Sequence, residues 1–423
     1  MHPWPTVDCS SQLCLSGLPS LRRRPTCTDA TEPPVMNAHA AVIEALKRHV
    51  GHPDLGHLLR HSAAICASPT NPMPLYRFAD TCQRLGDLSG WRAVTDVALC
   101  LEHGTYEQLY FRARAKIRLG IWSGWSDYEA RFFGDKFTAY QSPYARKLRW
   151  SFKAWDGQES LDGRVLLVAF EQGFGDTIQM LRFVPQLAER AGKVIVSIQP
   201  LLLTLAQHNF GEIATILPST SALPDAFDRY VWTMSLPACL GQLPEFTPLA
   251  APSPMDRFSS LDGCLHVGIC WAGNPEYGRD DQRSIPVAEL APLFECRGVH
   301  WHSLQVGPNA TAGDFYPHLR KPPLPLDSFA DTANFITALD AVVSVDTAVC
   351  HLAASMGMPT ILCVNTASVW RWGLENATPW YPSMRIIRQH KYSEWDPTLT
   401  AVREHLARVV AVTNEYSATH PAV

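Results

Sequence analysis

The stretch RVLLVAFEQGFGDTIQMLRFVPQLAERAGKVIVSIQ, residues 164–199, decides the fold of the larger part of this chain. It opens with an apolar run at 164–170, continues with helical spacing at 176–190 and returns to an apolar run at 193–199. A strand, a helix and a second strand in this order predict a parallel βαβ unit. A further helix at 200–208 and a strand near Ile216 extend the series into a Rossmann-like domain.

A second series of the same kind follows a segment, residues 243–254, that contains four prolines and is predicted to be a linker. Its first strand is LHVGICW at 265–271, and later strands lie near Trp301, end at Asp346 and begin at Pro359. A final helix is expected at 397–414. We therefore predict an α/β fold with two Rossmann-like domains, at residues 151–255 and 256–416.

The region before these domains has helical spacing and contains an internal repeat. LYRFADTCQRLGDLSGW at 75–91 aligns without gaps to LYFRARAKIRLGIWSGW at 109–125, an offset of 34 residues. This period resembles the tetratricopeptide repeat, in which helix pairs stack to bury an apolar face that one pair leaves open. We predict an all-α module at 36–150. Because only two clear copies are present, we favour the interpretation that the module packs against the first α/β domain. A concave surface that binds a protein partner is the alternative.

The first 35 residues are rich in serine, proline and threonine and are predicted to be a disordered leader. Three of the twelve cysteines lie there, Cys9, Cys14 and Cys27, with a metal or redox element as the alternative to an unstructured tail. The remaining cysteines are scattered without a CxxC pair and are interpreted as reduced thiols. No stretch reaches the ~20 apolar residues that span a bilayer, and the arginine run at 22–24 is not followed by the apolar segment of an export signal, so a cytoplasmic protein is expected.

Composition excludes one large class of partner. Hydrophobic residues make up 46% of the chain and charged residues 18%, which is typical of globular proteins. The formal net charge of -4 offers no basic face for a nucleic-acid backbone. We expect no nucleic-acid binding.

Three polar segments follow strands and are the candidate sites. In EQGFGDTIQ at 171–179, Gly173 and Gly175 permit a tight turn and Asp176 opens the helix. Ligands bind at the carboxyl ends of strands in open α/β sheets, although helix capping is the alternative role for Asp176.

The second segment, SVDTAVCHLAASMGMPT at 344–360, places Asp346 at a strand end, Thr347 and Ala348 at a helix start and His351 one turn later. The free N–H groups and dipole of such a helix start favour an anion such as a diphosphate. A packed core histidine is the alternative for His351.

The third segment is the loop CWAGNPEYGRDDQRSIP at 270–286, with Gly273 and Asn274 near its start. Arg279 and Arg283 suit neutralisation of a leaving pyrophosphate because the guanidinium fork matches phosphate geometry. Gln305, at the end of a later strand, is a weaker candidate for nucleotide contact.

Five ordered blocks resemble the C-terminal domain of bacterial tetratricopeptide-repeat glycosyltransferases, which is similar to the family 9 glycosyltransferases, the heptosyltransferases. The resemblance covers about 155–406 and implies a GT-B arrangement of the two Rossmann-like domains, with the repeat module in front. The blocks are EQGFGDTIQMLRF, WAGN with RSIP downstream, HSLQVGP, FADTANFITALDAVVSVDTAVCHLAASMG and WRWGLENATPWYPSMRIIRQ.

The resemblance also implies roles. Asp176 matches the proposed general base of heptosyltransferases, and their Asp-Thr-Gly-x-x-His motif matches Asp346, Thr347 and His351. This chain departs from the family at Ala348, where the motif has glycine, and carries Arg283 where the basic residue is commonly lysine.

The expected activity is transfer of a sugar from a nucleotide-diphosphate sugar to an acceptor hydroxyl, on a glycan or a protein, with inversion. No cofactor and no metal are expected: Asp280 and Asp281 are adjacent and would point to opposite faces of an extended strand. A nucleotide-sugar epimerase of the same fold and a non-catalytic repeat-bearing adaptor are the alternatives.

Overall fold

The structure is a computed structural model that forms two compact units. One unit comprises Met1–Arg112 with Ala411–Val423, and the other Ala113–Val410. The predicted leader cysteines Cys9, Cys14 and Cys27 lie outside the described residues. The structure describes residues 34–52, 54–133, 143–224, 226–258 and 263–419.

The first unit is built from helices, as the sequence predicts for the N-terminal region. The first begins at Pro34, two residues before the predicted start, because proline is accommodated in the first turn of a helix. Side chains of Asn71 and Asp87 accept hydrogen bonds from the backbone N–H groups of Met73 and Gly90, which caps the third and fourth helices. The helices are α1 Pro34–Arg48, α2 Leu55–Ala67, α3 Pro72–Arg84, α4 Leu88–Cys100 and α5 Tyr106–Arg118, whose last turns belong to the second unit.

The two copies of the 34-residue repeat have the same turn geometry. Gly86 (φ 81°) and Gly120 (φ 72°) end α3 and α5 in the left-handed region, which glycine adopts without steric cost. The second copy then differs, because its second helix, α6 Gly124–Tyr128, is short and continues as a 3-10 helix at Glu129–Phe133. The helical prediction is confirmed, and assignment to the tetratricopeptide class stays a prediction.

The second unit contains two parallel sheets. The first has the order β3-β2-β1-β4, and its central strand β1 is buried from Leu166 to Ala169. Leu148 and Trp232 belong to the core packed on this sheet. Its elements are α7 Pro143–Ser151, β1 Val165–Ala169, α8 Phe174–Leu181, α9 Val184–Ala188, β2 Lys193–Ile198, α10 Leu203–Phe210, β3 Thr215–Pro218, β4 Arg229–Trp232 and α11 Leu236–Leu240.

The second sheet has the order β10-β9-β8-β5-β6-β7, which is the six-stranded 3-2-1-4-5-6 order of Rossmann folds. Its inner strands are continuous apolar runs because helices cover both faces of a parallel sheet. Its elements are β5 Leu265–Cys270, α12 Asp280–Arg283, α13 Ala291–Phe294, β6 Val299–Ser303, β7 Leu319–Arg320, α14 Phe329–Ile336, β8 Ala341–Val345, α15 Ala348–Ser355, β9 Thr360–Val364, β10 Met384–Arg388 and α16 Asp396–Thr419. The predicted α/β class with two Rossmann-like sheets is confirmed.

One predicted helix is wrong in its extent. The single helix expected at 176–190 is two helices, and the first begins at Phe174, so that Asp176 is its third residue. The proline ring of Pro185 would clash with the carbonyl of Leu181, four residues earlier, and α8 ends at Leu181. The sequence reasoning also missed β4, β7, β10 and α14.

No helix in the part of the chain that the structure describes is both long and apolar enough to cross a membrane. The thiols of Cys82, Cys270, Cys350 and Cys363 are buried and form no disulfide, whereas Cys100 is exposed.

Candidate functional site

The candidate site residues lie where the strand order reverses in each sheet. In the first sheet this point lies between β1 and β4, and in the second between β5 and β8. The connections on either side of such a point run in opposite directions, which leaves a crevice at the carboxyl ends of the strands. Residues 171–176 follow β1, residues 271–274 follow β5, and Asp346 follows β8.

Asp176 occupies the crevice of the first sheet. One carboxylate oxygen, Oδ2, accepts the backbone N–H of Gly173 at 3.0 Å, which closes the turn onto the start of α8. The other oxygen, Oδ1, pairs with the guanidinium of Arg371. Helix capping, the alternative role for Asp176, is therefore present in the structure, and the same carboxylate also pairs with Arg371. Its side chain is 14% exposed.

A buried ion pair stabilises the loop that follows β1. Glu171 pairs with Arg131, and it also accepts the backbone N–H of Met234, just after β4, at 3.0 Å. Burial raises the pKa of Glu171, while the charge of Arg131 opposes this shift. Gln172 beside it has φ 64°, a left-handed conformation that is uncommon for a side-chain-bearing residue and clusters at functional sites.

The loop after β5 brings Arg283 to the second crevice. Its Nη1 donates to the backbone carbonyl of Asp346 at 3.0 Å, and its Nε donates to Asp280 at 2.7 Å. Gly273 leaves room for this arrangement, since a Cβ at that position would lie 2.1 Å from Arg283 Nη2 and the Arg283 side chain would have to shift. The prediction that Arg283 stands near the start of the helix after β8 thus has a geometric basis.

The other members of the predicted set differ in placement. Arg279 and Asn274 are exposed, and Asn274 Oδ1 accepts the backbone N–H of Glu276. Gln305 is turned inward: its Oε1 accepts the N–H groups of Trp271 and Ala272, and its Nε2 donates to the carbonyl of Ala272. The amide oxygen and nitrogen of Gln305 are therefore both bonded to the loop that follows β5.

Thr347 is the residue before α15, without a capping hydrogen bond from its side chain, and Ala348 is the first residue of the helix, so the helix begins where the sequence predicts. Asp346 and Thr347 are half-buried, and burial raises the pKa of the Asp346 carboxyl, with Arg371 and Arg283 among the groups that oppose it. This helix start faces the same crevice as the Arg283 guanidinium.

His351 is 3% exposed and lies behind that helix start. Its Nδ1 is 2.7 Å from the hydroxyl of Tyr381, and its Nε2 is 3.9 Å from Asp346 Oδ1. Burial holds the pKa of His351 well below its ordinary value, and the charge of Arg371 acts in the same direction, so the imidazole is neutral. In this structure His351 packs against Gly175, whose added Cβ would lie 2.7 Å from the ring, and makes no hydrogen bond to Asp346 at that 3.9 Å separation.

Arg371 is the site residue that the sequence reasoning did not single out, although it lies in the WRW part of a quoted block. It follows β9, donates from Nη1 to Gln179 of α8 at 3.0 Å and pairs through Nη2 with Asp176. Burial alone would lower its pKa, but Asp176 and Asp346 outweigh burial and the pKa of Arg371 is raised. The Arg371 cation thus pairs with the carboxylate of the first crevice and acts electrostatically on the Asp346 carboxylate of the second.

One group in the described residues has the composition of a metal site. Ligand atoms of Asp346, Cys350 and His351 lie within 4.8 Å of one another. Burial holds the pKa of the Cys350 thiol well above its ordinary value, and the fixed charge of Arg371 acts on Asp346. A protonated thiol and a neighbouring guanidinium make this group a poor cation site.

Comparison with known proteins gives a family match within the second sheet. Residues 322–400 match the model of glycosyltransferase family 9 (heptosyltransferase). Protein FlbA of Caulobacter vibrioides is 25% identical over 338 residues, which is 70% of this chain and 55% of FlbA. The chain therefore spans about half the length of this relative.

Solved glycosyltransferases are similar to this chain at low identity. The iron-containing dodecameric glycosyltransferase TibC of enterotoxigenic E. coli is 12% identical, with 62% of this chain and 78% of that chain covered and a TM-score of 0.39. E. coli heptosyltransferase WaaC with ADP-2-deoxy-2-fluoro heptose is 14% identical, with 58% and 99% covered and a TM-score of 0.39. A mutant O-GlcNAc transferase of Thermobaculum terrenum is 12% identical, with 92% and 94% covered and a TM-score of 0.32.

The family match supports a glycosyltransferase. Residues 322–400, which include Asp346, His351 and Arg371, are similar to glycosyltransferase family 9 (heptosyltransferase).

Proposed function

We propose that this chain transfers a sugar from a nucleotide-diphosphate sugar to an acceptor hydroxyl by direct displacement with inversion. The observation that carries the proposal is the meeting of Asp176, from the first crevice, with Arg371 beside Asp346 in the second. A carboxylate from one sheet and an anion-binding helix start on the other are the two groups that such a displacement needs. The likeness of residues 322–400 to a glycosyltransferase family supports the same activity.

Asp176 acts as the general base. The acceptor oxygen forms a bond to the anomeric carbon while the bond from that carbon to the phosphate oxygen breaks. The acceptor proton passes to the Asp176 carboxylate, and the nucleoside diphosphate leaves with the bonding electrons. Proton transfer of this kind typically contributes about 10² to 10⁴ in rate.

The leaving diphosphate is stabilised at the start of α15. Backbone N–H groups at Thr347 and Ala348 and the Arg283 guanidinium, 3.0 Å from the Asp346 carbonyl, present positive charge there. Arg279 is exposed on the loop that follows β5 and adds to this positive charge. Because these groups carry the charge, no metal ion is required, and a chelator is expected to leave the activity unchanged.

The donor is a hexosyl or heptosyl nucleotide sugar, and the acceptor is a hydroxyl of a glycan or a protein. ADP-heptose is included in the donor panel because residues 322–400 are similar to glycosyltransferase family 9 (heptosyltransferase). The reaction is expected to take place in the cytoplasm.

The first test is thermal unfolding with and without chelator. ADP-heptose, GDP-mannose, UDP-glucose and UDP-N-acetylglucosamine are compared with ADP, GDP and UDP. A ligand at 100 times its dissociation constant stabilises the folded protein by about 2.7 kcal/mol. A rise in melting temperature that persists in chelator supports the proposal. If none of these compounds raises it at millimolar concentration, the proposed donor site does not exist.

The role of Asp176 is tested separately with Asp176→Asn. We expect kcat to fall by about 10² to 10⁴ while the donor still raises the melting temperature, since the base acts on the acceptor proton. Conversion of the donor without an acceptor would instead indicate an epimerase. An unchanged kcat would exclude Asp176 as the base.

A further inference from the structure

Two buried N–H groups beside Asp176 are without an acceptor among the described residues. They are Nε of Arg371 and Nε2 of Gln179. The Arg371 side chain is 10% exposed, and Gln179 is 1% exposed. Buried donors in native proteins are nearly always paired, so an unpaired donor calls for a bound group to explain it.

The two donors belong to one cluster. Gln179 lies three residues after Asp176 on α8, which places both side chains on the same face of that helix. The Gln179 carbonyl oxygen accepts Nη1 of Arg371, and Asp176 pairs with Nη2. Each terminal nitrogen of the guanidinium therefore makes one hydrogen bond within the protein, and Nε is without an acceptor among the described residues.

The structure holds the cluster rigidly. The Arg371 guanidinium lies 5.0 Å from the centre of the Trp370 ring, and that ring packs edge to face on Trp125 at 5.3 Å. The hydrogen bond from Arg371 fixes which end of the Gln179 amide is oxygen, so Nε2 is the end that is left over. Preorganised donors of this kind recognise oxygen acceptors with defined geometry.

We propose that Arg371 and Gln179 form a donor-sugar subsite that hydrogen-bonds oxygen atoms of the nucleotide sugar between Asp176 and Asp346. This subsite rests on the proposed glycosyl transfer. Its ligand chemistry is an oxygen acceptor, which the donor supplies either as a sugar hydroxyl or as an oxygen of the adjoining phosphate. Either source brings the anomeric carbon close to the Asp176 carboxylate.

The test measures dissociation constants by calorimetry for the nucleotide sugar of the panel above that stabilises the wild-type protein, and for its free nucleoside diphosphate. The variants are Gln179→Leu, Arg371→Lys and Arg371→Met. Gln179→Leu removes the amide without removing a charge, so it carries the test even if Arg371→Met fails to fold. The melting temperature of each variant without ligand is recorded alongside.

Arg182→Met is the matched control. Arg182 is a half-buried arginine that donates to the backbone carbonyls of Trp380 and Pro244 and faces no carboxylate in these bonds. Its Nε, like that of Arg371, has no acceptor among the described residues, so this variant also removes an unpaired Nε outside the Asp176 cluster. Its replacement lowers the melting temperature without touching the proposed subsite. Donor affinity of Arg182→Met is therefore expected to equal that of the wild type.

We expect Gln179→Leu and Arg371→Lys to weaken binding of the nucleotide sugar by about tenfold, the usual effect of one lost hydrogen bond. If the acceptor is a sugar hydroxyl, the affinity for the nucleoside diphosphate stays unchanged. If it is a phosphate oxygen, both affinities fall together. Each of these results supports the subsite.

Unchanged affinity of both compounds for Gln179→Leu and Arg371→Lys would overturn the subsite and leave the transferase proposal standing. A wild-type protein that binds no nucleotide sugar would overturn both. The two failures are distinguished by the wild-type titration alone.

Discussion

At the scale of single residues, one glycine determines how closely helix α8 of the first sheet approaches helix α15 of the second. Gly175 lies on α8 against the imidazole of His351 on α15. A Cβ there would lie 2.7 Å from His351 Cδ2, closer than van der Waals contact allows. The imidazole is packed by Trp372 and bonded to Tyr381, so it has little freedom to move.

Gly175→Ala is therefore expected to destabilise the protein by about 1–3 kcal/mol through overpacking. Denaturant unfolding measures the change. Gly104→Ala is the control, because a Cβ at Gly104 would meet nothing within 4 Å. Equal stability of the two variants would show that α8 and α15 separate without cost.

At the scale of elements, the 3-10 helix Glu129–Phe133 supports the loop that carries Asp176. Arg131 from this helix is buried and pairs with Glu171 at 2.7 Å, and its guanidinium lies 3.9 Å from the centre of the Phe132 ring. The loop after β1 thus depends on a segment that precedes the sheet in the chain.

Arg131→Met is expected to cost about 3–5 kcal/mol, because Glu171 would be left as a buried and unpaired carboxylate. The free energy of unfolding measures the loss. In the double variant Arg131→Met with Glu171→Gln the buried charge is gone, and much of the stability should return. A double variant no more stable than Arg131→Met would contradict this account.

The strands β5 and β6 carry a buried histidine pair, His266 and His302, that makes the stability depend on pH. His302 packs against Phe258 and is 3.0 Å from His266, through its Nε2 and His266 Nδ1. Burial, with His266, Arg320 and His300 adding to it, lowers the pKa of His302 to about 3. The unfolded chain, with a histidine pKa of about 6.5, takes up this proton first as the pH falls.

Stability is therefore expected to be highest above pH ~6.5 and to fall with pH from there toward pH ~3, by up to about 1.4 kcal/mol per pH unit for each such histidine. Urea unfolding at several pH values measures the slope. His302→Gln should flatten it, since glutamine does not titrate. An unchanged slope would assign the acid sensitivity to other groups.

At the scale of the whole molecule, the second copy of the 34-residue repeat belongs, from Ala113 onward, to the same compact unit as the two sheets. Trp125 packs on Trp370 and Trp380, and the indole N–H of Trp122 donates to the carbonyl of Pro237 at 3.1 Å. The repeat segment therefore contacts a residue that follows β4 in the first sheet and two residues that follow β9 in the second sheet.

A chain that begins at Tyr106 keeps α5, α6 and Arg131, and it is expected to unfold cooperatively. A chain that begins at Pro143 loses Trp125 and leaves Glu171 unpaired, so its melting temperature should be lower and its transition broader. Calorimetry of the two truncated chains makes the comparison. Equal melting behaviour would show that the repeat segment is dispensable for the α/β unit.

Much of the architecture could be predicted from local sequence. The strands at β1, β2, β5, β8 and β9 are mostly apolar runs, and Asp346 and Thr347 follow directly after β8, whereas Asp176 lies in the first turn of the helix after β1. Runs of this kind are visible because both faces of a parallel sheet are buried. The edge strands β7 and β10 escaped detection, because β7 has only two residues and β10, MRIIR, alternates with exposed or half-buried arginine.

What the sequence by itself determined was the α/β class, the helical N-terminal region and the segments after strands that carry Asp176, Arg283 and Asp346. What only the tertiary structure decided was which side chains meet. Arg371 reaches Asp176 across 195 positions of sequence, and the amide of Gln305 turns inward to the loop after β5. Periodicity reports the burial of each element, whereas a contact between elements depends on how the sheets and helices pack, which no local pattern encodes.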